Sequence, residues 1–76
     1  MATKKSQLKI PPQNLEAEQA VLGSILIDKN AIYRVADLLL PEDFYVSAHE
    51  RIYDAILSLY TKRQPIDVFS VTNVLK

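Results

Sequence analysis

The sequence predicts an all-α fold, a small bundle of about four to five helices in orthogonal or antiparallel packing after a disordered N-terminal arm. Three observations predict it. One Gly against four Pro in 76 residues, with 49% hydrophobic and 24% charged side chains, describes a folded chain with too little glycine for turn-rich β structure. Apolar residues recur at helical spacing through 15–27, 31–39 and 47–60. Each of these stretches opens on a capping residue, Asn14, Asn30 or Ser47. A chain of this length makes at most one domain, and a domain this small buries only about 60% of the surface its unfolded chain exposes.

Residues 1–10 form the arm. They are polar and basic, with no helical or alternating period, and Ile10-Pro11-Pro12 forces an extended backbone at their end. Ile10 could dock on a nearby helix pair. From residue 11 onward the chain is expected to be one helical domain.

Asn14 caps the first helix, Leu15 to about Ile27, and Glu16 and Glu18 lie in its first turn, where negative charge suits the helix dipole. Leu15, Leu22, Ile25 and Leu26 share one face. Ala17, Ala20, Gly23, Ser24 and Ile27 form a second, small-residue face, which predicts a close helix crossing at Ala20 and Gly23, since a helical glycine otherwise costs about 1 kcal/mol against alanine. After a tight Asp28-Lys29 connection, Asn30 caps a second helix from Ala31 to about Leu39, with Ile32, Val35, Ala36 and Leu39 inward. Pro41-Glu42-Asp43 predicts one short helical turn as far as Phe44, with Phe44 and Tyr45 entering the core.

The central helix is Ser47 to Tyr60. Ser47 and Glu50 have the spacing of a reciprocal capping box. At about 100° per residue, Ala48, Ile52, Ala55, Ile56 and Leu59 make one apolar face, and His49, Tyr53, Leu57 and Tyr60 widen it. An apolar arc on the order of 200° is about twice that of an ordinary surface helix, so it requires neighbours on two sides or a partner. Lys62 and Arg63 suit a helix C-terminus, and Pro65 prevents continuation. Asp67 can cap the last segment, Val68 to Lys76, whose β-branched residues would also suit a strand. Helix is preferred because no second strand exists for it to pair with. The pattern stops at Lys76 without a C-cap glycine, so the chain is expected to be cut in mid-element.

Several function classes are excluded or disfavoured. There is no cysteine, so no disulfide, thiolate zinc site or catalytic thiol. A single histidine, His49, would leave a metal site to carboxylates, and a helical histidine of this kind usually packs or hydrogen-bonds. No glycine-rich phosphate loop is present, which excludes nucleotide hydrolysis by this stretch. Glu42-Asp43 fits a dipole pair better than an acid–base pair. Formal net charge is zero, and Lys4, Lys5, Lys9, Lys62 and Arg63 are scattered without interleaved aromatics, so direct nucleic-acid binding is not expected. No apolar run approaches the ~20 residues of a membrane span, and Lys4 and Lys5 are not followed by a signal-peptide core. A soluble, cytoplasmic protein is expected. Tyr33, Tyr45, Tyr53 and Tyr60 are candidate interface anchors, Tyr53 and Tyr60 first because they flank the wide arc.

Four blocks in order carry a resemblance: residues 11–26 (PPQNLEAEQAVLGSIL), Leu40-Pro41-Glu42-Asp43-Phe44-Tyr45, His49-x-x-Ile52-Tyr53-x-Ala55-Ile56, and Pro65-Ile66-Asp67. Together they resemble the N-terminal domain of bacterial replicative DNA helicases of the DnaB type, over essentially everything after Lys9. The resemblance implies that residues 11–76 are a C-terminally truncated helical domain that precedes a RecA-like motor. The full-length family protein is an ATP-dependent 5'-3' helicase, and its ATP and Mg site lies in the motor, which is absent here. No catalytic, cofactor-binding or metal residue is therefore expected in this chain. The resemblance also implies other helicase subunits of a hexameric ring, a primase and a helicase loader as partners in the primosome.

The function expected is a non-catalytic protein-interaction module in DNA replication. Candidate partner-binding residues are Glu16 and Glu18, expected to be exposed on the first helix, and Tyr53, Leu57 and Tyr60 on the flank of the central one. The alternatives are a small helical DNA-binding domain, or a free-standing remnant or competitor of an intact helicase. The wide flank could equally be an unfinished core or a subunit surface.

Overall fold

The computed structural model describes residues 14–76, and the expectations about the arm and the docking of Ile10 lie outside them. The described residues form four α-helices and no strand: α1 (Leu15–Ile27), α2 (Ala31–Val35), α3 (Ser47–Thr61) and α4 (Val68–Leu75), with a 3-10 turn at Pro41–Asp43 between α2 and α3. The fold is all-α, as the periodicity predicts.

Helix α1 starts where its cap predicts, with Asn14 Oδ1 accepting the Ala17 N–H at 2.9 Å. The cap of α2 differs from expectation. Asn30 makes no side-chain cap; instead its own N–H donates to Asp28 Oδ1 at 2.9 Å, and Ala31 N–H donates to the Asp28 carbonyl. Asp28 also holds Arg34 at 3.1 Å, so one carboxylate organises the whole α1–α2 turn. Helix α2 is shorter than the predicted 31–39. The Leu38 and Leu39 N–H groups both donate to the Val35 carbonyl, which ends the regular ladder. Leu40 is then held extended ahead of Pro41.

The 3-10 turn forms as Pro41-Glu42-Asp43 predicts, and Asp43 Oδ2 accepts the Leu40 N–H at 2.8 Å. Phe44 is buried, but Tyr45 is exposed. The backbone is extended at Phe44, so successive side chains point to opposite sides and only one of the pair can enter the core.

Helix α3 is central, packing against α1, the 3-10 turn and α4. This meets the requirement that its wide apolar arc have neighbours on more than one side. Tyr53, Ala55, Ile56 and Leu59 are buried on it, joining Leu22, Ile25, Ala31, Ile32, Leu39, Phe44 and Val71 in the core. Ala48 stays exposed, because α1 meets the first turn of α3 from the His49 side. At its C-terminus the Arg63 N–H donates to the Tyr60 carbonyl and the Gln64 N–H to the Leu59 carbonyl, the paired bonds of a Schellman turn. Arg63 takes the left-handed position at φ 59°, where glycine is usual. Asp67 caps α4 through the Ser70 N–H at 2.8 Å, and the last segment is helix as expected.

The close crossing predicted at Ala20 and Gly23 does not form. Ala20 is exposed, and a Cβ placed on Gly23 would meet nothing within 4 Å. The small-residue face lines an open groove with Ile27, Asp28 and Arg34.

Candidate functional site

A buried cluster of interacting titratable side chains is built where α1 meets the start of α3. Glu18 stands one turn into α1, in line with Leu22 and Ile25 at spacings of four and seven, which is the buried stripe of that helix. It is 0% exposed. Its carboxylate accepts the Tyr45 N–H at 2.5 Å and the Val46 N–H at 3.3 Å, and lies 2.7 Å from His49 Nδ1. Burial pushes its pKa up, but the His49 hydrogen bond, the two backbone N–H groups and the His49 charge together hold it below the usual carboxylate value. An ionised carboxylate only accepts, so Nδ1 of His49 carries the hydrogen shared with it.

This contact replaces the predicted Ser47–Glu50 capping box. Val46, which offers no side-chain acceptor, is the N-cap of α3, and Ser47 is its first helical residue. In a capping box the glutamate three residues into the helix takes the N-cap N–H. Here Glu18, from another helix, takes it. His49 packs and hydrogen-bonds as a helical histidine was expected to.

Tyr53 forms the second buried polar contact. Its ring packs on Phe44 with centroids 5.2 Å apart, and its hydroxyl donates to the Leu39 carbonyl at 2.8 Å. That carbonyl lies just past the end of α2 and has no helical partner of its own. Burial first, then the negative charges of Asp43 and Asp37, pushes the Tyr53 phenol up to about 12.

Two of the five candidate partner residues are therefore inside the molecule. Glu18 was expected to be exposed but lies on the core stripe, where three donors offset the cost of burying its charge. Tyr53 is also 0% exposed, because its ring packs on Phe44 in the core and the Leu39 carbonyl accepts its hydroxyl. Glu16 is exposed on the first turn of α1, and Leu57 and Tyr60 are half-buried on α3. Tyr60 meets exposed Tyr33 edge-on, with centroids 5.6 Å apart and planes at 70°. The structure thus separates Glu16 from the α3 pair by element and joins Tyr60 to Tyr33.

Large apolar side chains also stand outside where none was singled out. Ile27 is 87% and Phe69 84% exposed, and Val68, Val74 and Leu75 on α4 are exposed with them. The available signal was the run 68–75, which carries no charge and has an apolar arc, through Val68, Phe69, Val71, Val74 and Leu75, too wide for one neighbour to cover. Leu59, Pro65, Ser70, Asn73 and Val74 line an open groove beside α4.

Among the described residues no group of three or more His, Asp or Glu could hold a metal ion, and no helix is long and apolar enough to cross a membrane. Among the described residues, His49 Nδ1 pairs with Glu18. Through these contacts Glu18 joins α1 to the 45–46 junction and to His49 of α3.

Comparison with known proteins agrees with that geometry. The family model described as DnaB-like helicase N terminal domain matches residues 10–76. The chain is 52% identical over 67 residues to the replicative DNA helicase DnaB of Nostoc sp. (strain PCC 7120), covering 88% of this chain and 8% of that protein. It is 45% identical over 67 residues to the replicative DNA helicase DnaC of Bacillus subtilis, covering 88% of this chain and 15% of that one. Among solved structures, the N-terminal domain of DnaB helicase from Mycobacterium tuberculosis superposes with a TM-score of 0.80 at 50% identity, covering 87% of this chain and 46% of that one. The chain therefore spans 8% and 15% of the length of these two helicases and 46% of the solved domain.

Proposed function

We propose that this chain, which belongs to the family of DnaB-like helicase N-terminal domains, is a non-catalytic protein-interaction module of a replicative DNA helicase. Its work is to organise helicase subunits and to receive a primase or a helicase loader in the cytoplasm, while ATP and Mg belong to a motor that is not part of these residues. The observation that carries this reading is the division of labour in the side chains. Glu18, His49 and Tyr53 are committed to internal ties, while Ile27, Tyr33, Tyr45 and Phe69 stand outside with no role in the core. Exposed aromatic and aliphatic side chains on a rigid helical body are what protein partners bury.

Glu16, Leu57 and Tyr60 remain the proposed contact residues, with Tyr33 joined to Tyr60; Glu18 and Tyr53 act only by holding the body together. Charge argues against the DNA-binding alternative. All nine carboxylates but only six of the nine Lys and Arg lie in residues 14–76, so that body is net negative by three.

The test is a pull-down of this chain with its cognate primase and loader, repeated with Glu16→Ala and Tyr33→Ala, both at exposed positions, and with Tyr60→Ala. Capture of either partner, weakened at least several-fold by one of these changes while Tm holds for the two exposed sites, is the expected result. Failure of the unmutated chain to capture either partner above background overturns the reading. DNA binding that falls steeply between two salt concentrations would favour the alternative instead.

A further inference from the structure

We draw no further inference here: the strongest candidate, the uncharged outer face of α4 on which Val68, Phe69 and Leu75 stand exposed, is an apolar helix face with nothing in the structure to show what covers it.

Discussion

Glu18 joins three parts of the molecule with one carboxylate: α1 carries it, the 45–46 junction donates two N–H groups to it, and α3 reaches it through His49. In Glu18→Gln the amide nitrogen would have to face one of these donors. Breaking a buried, charge-assisted network of this kind costs about 3 kcal/mol, roughly 12–24 °C in Tm for a domain of this size. The pH dependence follows from the lowered pKa. A depressed carboxyl stabilises the fold fully above its unfolded value, and that stabilisation is lost as pH falls through the lower folded value. Glu18→Gln lacks the titrating group, so the Tm gap between it and the parent should narrow in acid; thermal unfolding by circular dichroism at pH 7 and near pH 3 checks this. Tyr53 has the opposite sign. Its neutral form is favoured, so its contribution is complete below the ordinary phenol pKa and is lost as pH rises through about 12. Tyr53→Phe leaves the Leu39 carbonyl without its donor and should cost about 1–3 kcal/mol at neutral pH, read from urea unfolding, with the difference shrinking in strong alkali.

Individual helices carry two further predictions. Gly23 is not held at a crossing, so Gly23→Ala should gain about 1 kcal/mol from helix propensity alone; a loss would mean that something packs on this face. Arg63→Gly relieves a left-handed backbone that disfavours a Cβ, and after the greater unfolded-state freedom of glycine is subtracted it should still raise Tm by a few degrees. The bounds of α1 and the existence of α4 were legible in the sequence because they rest on local chemistry: Asn14 and Asp67 each bond an N–H three residues ahead. The start of α3 was legible in place but not in mechanism. Ser47 and Glu50 satisfy the capping-box spacing, yet Glu18 takes the N-cap N–H from 28 residues away, and no local pattern records a contact that distant. The signal that was present lay on α1, where Glu18, Leu22 and Ile25 share one stripe; a charge in line with buried residues needs an internal partner. Helix α2 ended early for a similar reason, since Pro41 and the Leu39–Tyr53 contact favour an extended exit over another helical turn.

As a whole, the body spends its polar chemistry on its own assembly and shows apolar side chains on several sides. The broad arc of α3, which as a sequence feature demanded either neighbours or a partner, is largely met by α1, the 3-10 turn and α4. The surfaces we propose for partners are the half-buried rim of Leu57 and Tyr60 with Tyr33, the acid Glu16, and the exposed aliphatic and aromatic side chains. Tyr53 and Glu18 left the candidate set because burial converts them from contact groups into ties. The most direct measurement is the amide chemical-shift map of the 15N-labelled chain titrated with its cognate primase or loader. Shifts that saturate around Glu16 or around Tyr33, Leu57 and Tyr60, while the amides of Tyr45 and Val46 keep their exchange protection, are the predicted result. A map that stays unchanged at saturating concentrations of both partners would contradict the account.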